Sequence, residues 1–251
     1  MSRMSGIRVC DDNEFSLLLN ELSTDMIHAH FHYTLLRALE DARSQYAGVF
    51  SQSPTFWYLT LNAHQDVVLF RLGRIFDQSN GSLSLRNLLR AIKSNLHFFD
   101  EPNFRKRLQG NPFVDSLSKD SRKPVESELD HDIGLVAKDA NNGFDNVAER
   151  FIHIRNKYLA HKDAKVLLAS TDPETVAELS WDDVEHLLSL AKGLISKYSL
   201  LFAASVDSTT MHGQDDYKNV IESIKEHVDA WEARVEAARK EYLRKSEEGE
   251  P

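Results

Sequence analysis

The chain has 251 residues, 41% hydrophobic and 27% charged, with only 10 Gly and 6 Pro; it can bury a sizeable core, and few breakers favour helices over sheet. A single cysteine, Cys10, excludes an internal disulfide and fits a reducing setting. A net charge of -9 excludes indiscriminate coating of nucleic acid, so any RNA or DNA contact must come from a local basic patch.

The opening, MSRMSGIRVCDDNEF, lacks the apolar centre of a signal peptide, and no run reaches the ~18–20 apolar residues of a membrane span. The expectation is a soluble, cytoplasmic protein without membrane contact. Residues 13–46 read as one long helix or two short ones, with Phe15, Leu18, Leu19 and Leu22, then Leu35, Leu36 and Leu39, at helical spacing. Ser53-Pro54 is an N-cap followed by a first-turn proline. The helix it opens, TFWYLTLNAHQDVVLFRLGRIFD, is apolar on most sides, which predicts a central, largely buried element. Asn80-Gly81 marks a turn, and a helix is predicted over 84–98. Residues 100–123, with Pro102, Gly110 and Pro112, are predicted to be irregular. A helix is predicted from Pro124 to about Ala140, and NNGF then breaks the chain before another that begins near Phe144.

After His161 a mixed connection, DAKVLLASTDPETVAELS, has room for a short extended piece. Ser180 and Asp183 form a capping-box start for a helix over 181–205. Residues 214–245 are strongly amphipathic: Tyr217, Ile221, Ile224, Val228, Trp231, Val235, Ala238 and Tyr242 alternate fours and threes. That 3.5-residue repeat makes a coiled-coil-like seam, which can pack on the parent bundle or on a second copy. The tail RKSEEGEP is expected to fray. The sum is an all-α bundle of about six or seven helices. It is read as one domain over 1–251, with a core of about 13–206 and an added amphipathic helix of about 213–246. No Gly-rich phosphate loop follows a strand, which argues against nucleotide-binding α/β folds.

One stretch carries unusual chemistry: ERFIHIRNKYLAHKDAK, residues 149–165. Phe151, Ile152, Ile154, Tyr158 and Leu159 imply packing on more than one side, while Arg150, Arg155, Lys157, Lys162 and Lys165 outnumber Asp163. Arg155 and His161 at the margin of such a surface suit a phosphodiester. Guanidinium offers a permanent charge with a forked donor set, and imidazole exchanges protons near neutral pH. The alternative is structural, with Arg155 as a cap or in a salt bridge and His161 as a helix C-terminal residue favoured by the dipole.

Arg155-Asn156, a gap of five residues and His161 resemble the Arg-X(4–6)-His motif of the HEPN superfamily. The wider pattern is most similar to the bacterial abortive-infection U-type subfamily, to which FRLGRIFDQSNGSLSLRNLL (70–89) is also similar; the likeness spans about 55 to 205. What it implies is a metal-independent endoribonuclease without a cofactor, dimeric, with two motifs facing across a shared cleft. His161 would serve as general base or acid, Arg155 would bind developing charge, and Asn156 would orient the phosphate or its partner's side chain. Lys157, Lys162 and Arg150 would add cations for the RNA substrate, and cleavage would leave a 2′,3′-cyclic phosphate and a 5′-hydroxyl. An antitoxin or other regulatory partner is implied as well. On an ideal helix, positions 155 and 161 lie about 120° apart. They converge only if the helix end distorts or Arg from one chain serves with His from the other. His161-Lys162-Asp163 lacks the Tyr of His-X-Tyr members, so regulation by nucleotide transfer to that Tyr is not carried over. The alternative class is a non-catalytic module that binds RNA, a nucleotide or a protein; a third is a helical scaffold working through its C-terminal seam.

Other candidates are weaker. His28 and His32 share a helical face at a spacing zinc uses, yet no Cys or Glu-x-x-His accompanies them, and His30 points elsewhere. They read as surface histidines, and no metal site is expected. His64 and Asp66 read as structural or peripheral. Arg71, Arg74 and Asp77 fall in a mostly apolar helix, where an Arg74–Asp77 pair at i,i+3 is expected and one arginine lining a cleft is the functional alternative. No nucleophile sits on a Gly-flanked elbow, and Cys10 is not placed as one.

Overall fold

The computed structural model describes residues 7–119, 123–137, 147–154, 179–247 and 249. Among them every regular element is helical, and the expected all-α fold holds. The elements are α1 (Asp12–Gln45), α2 (Ala47–Gln52), α3 (Pro54–Ile75), α4 (Leu85–Ser94), a 3-10 turn (Leu96–Phe99), α5 (Glu101–Arg107), α6 (Val114–Lys119), α7 (Glu126–Val136), α8 (Val147–Ile154), α9 (Trp181–Ala203) and α10 (Tyr217–Glu247). Of the two readings left open for 13–46, the chain takes the single long helix. Asp11 starts it, its carboxylate accepting from the backbone N–H groups of Asn13 at 2.8 Å and Glu14 at 2.9 Å.

Two sequence expectations are corrected. Where residues 100–123 were expected to be irregular, the described part holds two short helices, α5 and α6, and Pro102 falls in the first turn of α5, where its missing N–H costs nothing. Asp100 caps that turn, accepting from the Asn103 N–H at 3.1 Å. Nor is α3 buried all round: Trp57, Val68, Leu72 and Ile75 are buried, but Phe56, Tyr58, Leu59 and Phe70 are each about 60% exposed. Apolar residues encircle this helix, yet only one stripe meets neighbours.

The chain divides into two compact units, one of residues 1–30 and 68–209, the other of residues 31–67 and 210–251. In the first, Phe15, Phe99 and Phe202 pack edge to face at centroid distances of 4.7 to 5.6 Å. Arg107 closes this cluster: its guanidinium lies 3.9 Å from the Phe202 ring centroid, its Nε donates to the Phe202 carbonyl at 2.9 Å, and it pairs with Asp12 at 2.8 Å. A buried polar knot joins α7 to α9. The Asp132 carboxylate accepts from the Tyr198 hydroxyl at 2.6 Å and from Lys197 Nζ at 2.7 Å. His30 Nε2 donates to the Leu188 carbonyl at 3.3 Å, and burial pushes its pKa down, so the neutral ring is favoured.

In the second unit, Leu39, Ala42, Val49, Phe50, Trp57 and Ile221 form the core. The seam of α10 seals it with Tyr217 and Ile224, and Val228 packs over Gly48 of α2, where a Cβ would make an ordinary contact with Val228 Cγ1 at 4.0 Å.

Asp132→Ala takes this acceptor from the buried Tyr198 hydroxyl and leaves Lys197 facing the more distant Glu128, at 3.5 Å. It should destabilise the chain by about 3 kcal/mol, the low end for a broken buried pair because Lys197 reaches solvent; urea unfolding measures it. Ala204, which ends α9, has φ 51, a left-handed conformation that glycine adopts without a Cβ penalty. Ala204→Gly should therefore stabilise by up to about 1 kcal/mol, read as a higher urea midpoint at constant slope.

Candidate functional site

The helix that leads into the Arg155–His161 stretch is α8. Ala148, Phe151 and Ile152 fall at i, i+3 and i+4, and all three are buried. Phe151 meets Phe76, just past the end of α3, in an edge-to-face contact with centroids 6.4 Å apart. The helix also contacts α7 and α9. Its polar side is fastened too: Arg150 forms an ion pair with Asp183 in the first turn of α9.

Asp183 does three things at once. It is the acid of a capping box, accepting from the Ser180 N–H at 3.1 Å while its own N–H donates to Ser180 Oγ at 3.1 Å. Its carboxylate also accepts from the Ser180 hydroxyl at 2.8 Å and faces Arg150. Burial works against ionisation here. Hydrogen bonds from Ser180 and the charges of Arg150 and His186 outweigh it and hold the carboxyl below the usual aspartate range. The capping box read from the sequence is thus present, and its acid doubles as the anchor for α8.

Of the site residues expected from sequence, Arg150 is described, and its guanidinium is engaged with Asp183 while 39% of the side chain stays exposed. Arg155, Asn156, Lys157, His161 and Lys162 lie outside the described residues, as do the helix start near Phe144 and the connection after His161. The described part of α8 closes at Ile154, next in sequence to Arg155.

A second cluster went unread in the sequence. Arg71 and Arg74 both pair with Asp25 of α1, Arg74 Nε at 3.2 Å. The expected Arg74–Asp77 pair is replaced by this one; Asp77 instead accepts from the Ser79 N–H and hydroxyl, both at 3.1 Å. Asp25 is 3% exposed on the apolar stripe that carries Leu22, Met26 and Ala29, and a buried acid on such a stripe was the available signal. In the second unit, His32 and His64 are hydrogen-bonded through their Nδ1 atoms at 2.8 Å, so one ring donates to the other. They form a pair across α1 and α3 rather than independent surface groups. Among the described residues no three His, Cys, Asp or Glu side chains converge to hold a metal ion, and no helix is long and apolar enough to cross a membrane.

An all-helical chain with this α8 fits a HEPN-type domain. A model of the HEPN_AbiU2 family (AbiU2) matches residues 12–222, from the first residue of α1 into the second turn of α10. The chain belongs to the HEPN_AbiU2 family, a HEPN subfamily of the abortive-infection type. Comparisons with curated proteins and with solved structures return no match.

Because Asp183 is depressed in the folded state, its contribution is complete above the ordinary carboxylate pKa of about 3.9 and fades as pH falls through the lower folded value. Asp183→Asn, which removes the charge facing Arg150, should lower the melting temperature by a few degrees at pH 7. The difference from wild type should shrink as pH falls below the ordinary carboxylate range and through the lower folded value, and thermal melts followed by circular dichroism check both points.

Proposed function

We propose that the chain is a metal-independent endoribonuclease of the abortive-infection type, acting as a homodimer. The observation that carries the reading is the family match over residues 12–222, which takes in Arg155, Asn156 and His161 at the spacing of the HEPN motif. The anchoring of α8, just before the motif in sequence, on α7, α9 and Phe76 is compatible with it.

RNA brings its own nucleophile. His161 takes the proton of a 2′-hydroxyl as its oxygen attacks the adjacent phosphorus, and the P–O5′ bond breaks. The leaving 5′-oxygen receives a proton from His161 of the second copy, leaving a cyclic phosphate and a free 5′-hydroxyl. Arg155 meets the charge on the phosphorane, Asn156 orients the phosphate, and Lys157 and Lys162 hold flanking phosphates. Arg150 serves mainly through its pair with Asp183, which fastens α8 immediately before Arg155 in sequence. An enzyme of this kind needs restraint, so an antitoxin or a triggering partner belongs to the proposal.

The experiment compares wild type with His161→Ala and Arg155→Ala on total RNA with EDTA present, mapping product ends. Cleavage with cyclic-phosphate ends should fall at least ~100-fold in His161→Ala while circular dichroism is unchanged. Absence of cleavage by all three proteins, with RNA affinity equal in wild type and His161→Ala, would assign the chain to the non-catalytic binding class.

A further inference from the structure

The seam of α10 has two halves with different fates. Ile221 and Val228 are buried in the second unit, but every residue from Asp229 through Ser246 is exposed. At 1.5 Å per residue this is about 27 Å of helix without a packed side. The apolar repeat does not stop where the packing stops: Trp231 is 54% exposed, Val235 46% and Tyr242 73%. A lone helix of that length is marginal in water, and Glu236–Lys240 and Glu241–Lys245 pairs at 3.5 and 3.2 Å add only a few tenths of a kcal/mol each. The projecting half also lies past residue 222, where the family match ends.

The residues flanking the seam identify what covers it. They are Glu232, Arg234, Arg239 and Glu241. Arg234 has only Ala230, Trp231, Ala237 and Ala238 one turn away, so no opposite charge on its own helix faces it, and Glu232 has only the acids Asp229 and Glu236 among its charged neighbours. The order Glu, Arg, Arg, Glu is the same read in either direction. With a second copy laid antiparallel, Arg234 faces Glu241 and Glu232 faces Arg239, each pair occurring twice. In the same register Trp231 stacks on Tyr242 of the second copy, and Val235 fills the space left by Ala238. A parallel arrangement would set Arg234 against Arg239 twice.

We propose that residues 229–246 of α10 are a self-association surface, pairing with the same segment of a second copy as a short antiparallel coiled coil. Pairing ends at Val228 because that side chain is already committed to its own unit. This contact uses residues distinct from the Arg155–His161 stretch and does not depend on the ribonuclease reading.

The test is sedimentation velocity of the full chain over about 1–200 µM, a span suited to a short, weak interface. The proteins are wild type, Trp231→Ala, Arg234→Glu and the double variant Arg234→Glu/Glu241→Arg. All three positions are exposed, and circular dichroism verifies helix content. Arg234→Glu places Glu against Glu twice and should weaken association at least ~10-fold, and Trp231→Ala should weaken it too. The double variant restores both attractive pairs and should return to within ~3-fold of wild type. If the cleavage-site dimer also forms, the variants shift the distribution by one doubling while that dimer persists. Identical distributions for wild type, Trp231→Ala and Arg234→Glu would overturn the proposal, as would tighter association of Arg234→Glu, the sign of a parallel pair.

Discussion

The apolar face of α9 is the surface on which the first unit assembles. Val184, Leu187, Leu188, Ala191, Leu194, Ile195, Tyr198 and Phe202 are all buried, and α4, α5, α8 and the 3-10 turn each contact this helix. At about 1.5–3 kcal/mol per buried large side chain, this face outweighs any single polar contact in the unit. The Arg150–Asp183 pair, half open to water, is worth about 1 kcal/mol or less. Its effect is directional. Burial of Phe151 and Ile152 decides that α8 packs, and the ion pair decides where along α9 it sits.

Buried charge in this unit follows the same division. Asp25 with Arg71 and Arg74, and Asp132 with Lys197 and Tyr198, join α1 to α3 and α7 to α9. In each, the carboxylate is buried while its cations reach water, so only one ion of each set bears the full cost of desolvation. Such contacts add little to net stability but penalise any packing that leaves the acid alone, which makes them determinants of helix register.

Legibility of the sequence divided along the line between local and distant physics. The capping box at Ser180, the helical nature of α1, α4, α7 and α9, and the repeat in α10 all depend on residues within a few turns, and each was readable. Pro102 misled because its effect depends on its place in the turn, and that place is set by Asp100. Partners such as Asp25 for Arg74, Asp183 for Arg150 and His64 for His32 lie 32 to 49 residues away and follow no local period. The same holds for α3, whose apolar residues reveal helix but not how much of its circumference finds a neighbour. The motif itself was legible because Arg155, Asn156 and His161 fall within seven residues. Which atoms they meet is a matter of distant contacts again, and those residues lie outside the described part of the chain.

Charge sets a further condition on the proposed reaction. With Arg150 engaged by Asp183, the stretch from 155 to 165 keeps Arg155, Lys157, Lys162 and Lys165 against Asp163, a net of about three positive charges on a chain of net charge -9. Three phosphate contacts would give single-stranded RNA a salt slope of only about -2, the mark of few released counterions and a small electrostatic contribution. Two copies facing each other double the cations over one stretch of RNA and carry the slope to about -4 without altering either surface. A homodimer would therefore serve binding as much as catalysis. Under the proposed reading, pairing the two basic stretches is what would give an acidic protein a basic cleft.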